Sequence, residues 1–256
     1  MLFRSLHGES CGEHNHLKDE KMRKLLSMFV CLITCAGALA AERTKEAERL
    51  QKAATIVHEI MSTPDKAIPQ DLLEKAVCVG VIPSEVKFAL GVGGSFGRGA
   101  LVCRRGGNGR WGPPSMFTVG GGGFGLQLGG QATDIVFIVM NAHGAQKLVQ
   151  SSVKLGVDAS AAAGPVGRKA EGATDLQLHA EILSYSRSRG LFAGVSLEGA
   201  VLKQDDDANK RLYGRAVVPK EILFGRGPAV PLAARPLDAA LARYSPRGGA
   251  PFARAS

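Results

Sequence analysis

From Glu42 to Met61 apolar side chains recur at spacings of three and four, through Ala47, Leu50, Ala54, Val57 and Met61. That period predicts an amphipathic helix, with Arg43, Lys45, Arg49 and Lys52 on its early polar part and Ser62-Thr-Pro-Asp65 ending it. Pro69 starts a second, shorter helix over Gln70–Ala76. The period then shifts towards two. Cys78–Ile82 reads as an apolar strand stopped by Pro83. Phe88–Val92, Gly99–Arg104, Met116–Gly120, Gly123–Gly129 and Asp134–Met140 read as further strands punctuated by glycine or proline. Asn141 is placed to cap one inserted helix over Ala142–Gln150. Alternation returns in Val153–Gly164, Asp175–Ser186, Gly190–Lys203 and Lys210–Val217, with Asp205–Asn209 as a hairpin loop. In this run Leu191, Ala193, Val195 and Leu197 share one strand face. Phe192, Gly194, Ser196 and Glu198 share the other, part of which is bare backbone open to close approach.

Helices first, then mostly antiparallel strands with one inserted helix, predict an α+β domain with a sandwich or barrel-like sheet. A chain of 256 residues, 45% of them apolar, is enough for one good-sized core. Its 33 glycines, roughly twice the usual share of about 7%, sit in strand-like blocks, which points to closely packed backbones. Beyond Gly225 proline, alanine and arginine take over; apart from a short helix over Leu237–Tyr244, residues 226–256 read as a tail.

The amino terminus changes the picture. Met22–Ala40 has a basic start, a short apolar run and Ala38-Leu-Ala40 as a small-residue cleavage site, the layout of a secretory signal. The expectation is an exported mature chain starting at Ala41, periplasmic or extracellular, with its domain over residues 41–225. An uncleaved membrane anchor and a lipidated Cys35 are the alternatives. Since such signals begin a chain, translation is expected to start at Met22. Residues 1–21, with His7, Cys11, His14 and His16, would then be an upstream extension. Of five cysteines, only Cys78 and Cys103 remain in the mature part. An exported chain could join them in a disulfide; two buried thiols fit their apolar surroundings equally well. The net charge of +9 is weighted to residues 226–256, with five arginines against one aspartate. The domain itself is mildly basic, which suits an anionic surface.

Three patterns invite chemistry. Gly93-Gly-Ser-Phe-Gly97 has the letters of a nucleophile elbow around Ser95, but strand-like Gly99–Arg104 follows where a helix is needed. Gly120-x-Gly122-x-x-Gly125 has the letters of a dinucleotide fingerprint, again without the helix. Asp205, Asp206 and Asp207 could gather a calcium ion, though a solvated loop tip explains them more simply. No resident metal or other cofactor is expected, and nothing points to an enzyme. Lipid binding has two physical supports. The helix from Glu42 can lie in an interface with Arg43, Lys45, Arg49 and Lys52 at the head groups. Lys87, Arg98, Arg104, Arg105 and Arg110 flank glycine-rich strands and turns where a phosphate can reach backbone amides. A helix packed on its own domain, and ordinary surface charge, are the plainer accounts.

A series of blocks carries a family resemblance: Ile68-Pro-Gln-Asp-Leu-Leu-Glu-Lys-Ala-Val-Cys-Val-Gly-Val-Ile-Pro83, Gly106–Ser115, Gly120–Asp134, Ala163-Gly-Pro-Val-Gly-Arg168, Ser186–Gly199 and Ile222-Leu-Phe-Gly225. Together they resemble the SYLF domain family over about Glu42–Gly225. The resemblance implies a non-catalytic lipid-binding module whose yeast and animal members regulate actin at membranes. An exported member would meet envelope phospholipid, with cytosolic actin out of reach. No nucleic-acid partner is expected. The alternatives are an envelope assembly module that binds a protein through its glycine-rich face, and a secreted hydrolase using Ser95.

Overall fold

The computed structural model describes residues 45–63, 68–90, 92–123, 131–166, 179–188 and 191–245. The signal-like Met22–Ala40, the upstream extension and Arg43 lie outside them, as does most of the strand expected over Gly123–Gly129. Helix α1 occupies residues 45–61, and α2 spans Gln70–Lys75. Four long strands follow, β1 Cys78–Leu90, β2 Val92–Cys103, β3 Ser115–Gly123 and β4 Gln131–Val139. Helix α3, Ala142–Lys147, starts at Asn141, whose side chain accepts the Gly144 N–H at 2.8 Å. The short strands β5 Ser152–Lys154 and β6 Ala161–Ala163 come next. Then come β7 Ile182–Ser188, β8 Leu191–Gly194 and β9 Val201–Gln204.

These strands form a single sheet in the order β5-β9-β3-β2-β1-β4-β7-β6, with β8 also paired to β7. All pairings are antiparallel except β6 with β7. The architecture is the expected α+β one in its barrel-like form: a curled half-barrel, not two stacked sheets. Pro83 does not stop β1. The strand passes it through a bulge that shifts the register between Val81 and Val86. Ser84 takes a positive φ of 56° there and donates its N–H to Asp134 Oδ1 at 2.9 Å. A bulge is where a strand tolerates proline, because one residue leaves the ladder.

The sheet curls because two glycines let it. Gly80 is the register partner of Phe137, and Gly99 that of Phe117. Each ring lies over its partner: a Cβ on Gly80 would sit 2.1 Å from the Phe137 ring, and one on Gly99 2.6 Å from Phe117. The two rings, on strands separated by β1 and β2, meet edge-on with centroids 5.7 Å apart. Residues around them, with Ile82, Leu101, Val119, Ile135, Leu148 and Leu202, form the core on this face. On the other face Val79, Val81, Ala100, Val102, Met116, Val136 and Ile138 pack under Leu50, Ala53, Val57 and Ile60 of α1.

Three sequence expectations change here. Asp205–Asn209 is not a hairpin loop. Helix α4, Asp206–Tyr213, begins with Asp205 accepting the Ala208 N–H at 3.0 Å and stops at Gly214 with φ 72°. Acids in the first turn and Lys210 and Arg211 in the last match the helix dipole, so caps and charges override the strand reading of Lys210–Val217. The alternating run after Tyr185 is a β7–β8 hairpin that ends at Gly194, not one strand. Residues 226–245 are not a tail. After α5, Pro219–Phe224, the chain forms a one-turn helix and then α6, Arg235–Tyr244, which buries Leu237 and Leu241 in the α1 core. One compact unit therefore runs from Lys45 through Ser245.

Candidate functional site

Among the described residues, the cations expected at a lipid surface separate by burial. Arg104 leaves the set altogether, being 1% exposed. Its Nε donates to Ala76 O, Nη1 to Gly109 O and Nη2 to Ser245 O, each at 3.1 Å, and its guanidinium stacks 3.9 Å from the Trp111 ring. Trp111 Nε1 donates to the same Ser245 carbonyl, and Ser245 Oγ donates to Leu73 O. Burial pulls the Arg104 pKa down to about 10, opposed by the nearby Glu74 carboxylate, so the group remains a cation at neutral pH. It is a buried knot joining α2, the 105–110 loop and the end of α6.

Helix α1 is also committed. Leu50, Ala53, Val57 and Ile60 are buried against the sheet, so in this structure its apolar side does not face an interface. Arg49 pairs with Glu46, which is 1% exposed and receives Arg211 Nη2 at 2.9 Å. Glu59 pairs with Arg187 of β7, and His58 with Tyr244 of α6. Lys45 and Lys52 stand exposed on the outer side. Arg105 and Arg110 are exposed at the ends of the 105–110 loop, whose turn needs positive φ at Gly106 (65°) and Gly107 (84°). Lys87 takes the register position opposite Ser95 on β1.

The glycine-rich signature is structural. Gly194 of β8 pairs with Tyr185 of β7, and a Cβ on it would lie 2.1 Å from Gly164 O. A Cβ on Gly164 would strike the Tyr185 ring at 2.2 Å. The close approach expected at this bare backbone comes from the chain itself. Arg187 holds Asp134 at 3.3 Å besides Glu59, fastening α1 to β4 and β7. Cys78 and Cys103 are register partners on β1 and β2, fully buried, with Cα atoms 4.0 Å apart and joined by a disulfide. Neither catalytic motif finds its structural context. Ser95 sits inside β2 opposite Gly121, and Gly120–Gly123 belong to β3, so neither begins a helix. Asp205 and Asp206 open α4, and no cluster that could hold a metal exists among the described residues.

What remains is the open end of one sheet face. Beyond Ala100 and Met116, where the helical cover stops, the same face continues through Phe96, Arg98, Thr118, Gly120, Val201 and Lys203, and on β5 through Ser152 and Lys154. Phe96 is 47% exposed, Arg98 lies 5.9 Å from its ring, and Lys154 and Lys203 are exposed. Phe96 pairs with Gly120, so no side chain opposes the ring from β3. The result is a cationic platform that carries one exposed aromatic. Arg98 was legible in the sequence; Lys154 and Lys203 were not, because only the β3–β9–β5 pairing brings them beside it.

A curled sheet sheathed by helices over part of one face, and open and cationic over the rest, is the build of a domain that presents a surface. Its class is that of α+β domains built on one curled sheet. A sequence profile of the family described as "Ysc84: Las17-binding protein actin regulator" matches residues 120–244. An SH3 domain-containing protein of Schizosaccharomyces pombe is 40% identical over 175 residues, covering 67% of this chain and 40% of that protein. LAS seventeen-binding protein 3 of Saccharomyces cerevisiae is 36% identical over 192 residues, 72% of this chain and 41% of its own length. The human SH3 domain-containing YSC84-like protein 1 is 34% identical over 184 residues, 70% of this chain and 53% of its own length. The chain belongs to the Ysc84, or SYLF-domain, family of actin regulators. It matches about half the length of these relatives or less.

Proposed function

We propose that this domain is a non-catalytic module that binds anionic phospholipid through the open end of its sheet. The carrying observation is the platform itself: Arg98, Lys203 and Lys154, on β2, β9 and β5, share one face with the exposed Phe96. An aromatic ring among cations suits the boundary between head groups and acyl chains, and each lysine or arginine near an anionic membrane contributes about 1 kcal/mol. Export directed by Met22–Ala40 is part of the reading and would make envelope phospholipid the surface encountered. Sequencing the amino terminus of host-purified protein tests that part; a start at Ala41 supports it.

Vesicle flotation tests the site. Wild type should float with vesicles of phosphatidylglycerol and phosphatidylcholine, should not float with phosphatidylcholine alone, and should be released as salt rises. Arg98→Glu with Lys203→Glu should weaken binding by at least roughly tenfold. Lys45→Glu with Lys52→Glu, on the packed helix, should matter less. Undiminished flotation of the Arg98/Lys203 variant at low salt would overturn the site.

A further inference from the structure

The platform leaves a second feature unused. At the end of the sheet that carries the disulfide, the 105–110 loop, α3 and α5 border an open trough of about 930 Å³. Val77, Ala145, Val149 and Phe224 supply apolar surface, with Phe224 39% exposed at the mouth. Lys147 of α3 and Lys220 of α5 both line it, together with the amides of Asn108, Gln146 and Gln150. Among the described residues no carboxylate lines the trough. The Glu181 carboxylate behind His143 is already engaged by His143 Nδ1 at 2.5 Å and by the Ser160 N–H at 2.9 Å. Burial works against its ionisation, but these bonds prevail and hold its pKa below the usual value.

Such a lining calls for an occupant that brings apolar side chains and negative charge together. A small amphiphile is bound where most of its surface can be enclosed, whereas this trough is open to solvent. A peptide fits an open groove, because one side of it can stay hydrated while the other buries its anchors. We infer that the trough between the 105–110 loop, α3 and α5 is a docking groove for an acidic, apolar peptide segment of a protein partner. Phe224 is its apolar anchor, and Lys147 and Lys220 its charge contacts. The groove uses none of the platform residues, so it stands apart from the lipid reading.

The test uses the full chain and two fluorescein-labelled peptides, one alternating leucine with glutamate and one alternating leucine with lysine. Fluorescence anisotropy should show binding of the acidic peptide and none of the basic one. Lys147→Glu with Lys220→Glu should weaken it by roughly tenfold. Phe224→Ala should weaken it by a similar factor, roughly tenfold. Arg98→Glu should leave peptide binding unchanged, and the Lys147/Lys220 variant should still float with anionic vesicles. The inference fails if the acidic peptide does not bind, if both peptides bind alike, or if charge reversal leaves its affinity unchanged. It also fails if the lysine pair governs vesicle binding instead, for the trough would then belong to a lipid surface.

Discussion

Strand β2 carries two arginines six positions apart on the same stretch of chain, Arg98 within it and Arg104 just past its end, and the sheet treats them in opposite ways. Around Arg104 the face is roofed by α1, α2 and α6, and the guanidinium is 1% exposed among carbonyls and the Trp111 ring. Around Arg98 the roof has ended and the side chain stands in solvent beside Phe96. Glycines divide by face instead: on the opposite face Gly80 and Gly99 are filled by phenylalanine rings, whereas on the open face a Cβ on Gly120 would meet nothing closer than Ser95 O at 3.8 Å. The roofed end of the sheet spends its charge on packing, and the open end leaves Arg98 exposed and the backbone of Gly120 bare.

The largest effect should come from Arg104. Arg104→Ala strips several buried acceptors of their donor and should cost roughly 3–5 kcal/mol. Arg98→Ala should stay within about 0.5 kcal/mol, as surface changes do. Chemical denaturation of the two variants reads the contrast, and equal losses would abolish the distinction between the two ends. Next is the disulfide. Cys78 and Cys103 close a loop with a sequence separation of 25, so Cys78→Ser with Cys103→Ser should lower stability by about 3.5 kcal/mol under oxidising conditions. A reductant should reproduce the loss in wild type; two alkylatable thiols in host-purified protein would show that the bond is not formed there. The smallest contrast lies in the glycines. Gly80→Ala drives a methyl into the Phe137 ring and should cost about 1–3 kcal/mol. Gly120→Ala should be neutral within about 0.5 kcal/mol in the same melts.

Local pattern made much of the architecture legible. The three-and-four spacing of Leu50, Ala54 and Val57 placed α1, and Asn141 placed α3, because a helix period and a cap are properties of adjacent residues. The bulge at Pro83 was missed because proline breaks a ladder locally, and only pairing on both sides by β2 and β4 carries β1 past it. Asp205, the following aspartates and Gly214 carry the caps of α4 in the local sequence, and capping overrides alternation there. The helix over Leu237–Tyr244 was legible locally, but its place in the core was not, because its apolar residues matter only when α1 is there to receive them.

The sequence by itself determined the helical and strand periods, the family blocks, and the supply of glycine and basic residues from which a surface could be made. Only the tertiary structure decided which of those residues became surface. Arg104 is buried because its acceptors arrive from Ala76 and Ser245, 28 and 141 positions away, and Arg98 is exposed because no helix among the described residues reaches that far along the face. Burial is set by what folds over a residue from elsewhere in the chain, and nothing in its own neighbourhood records that.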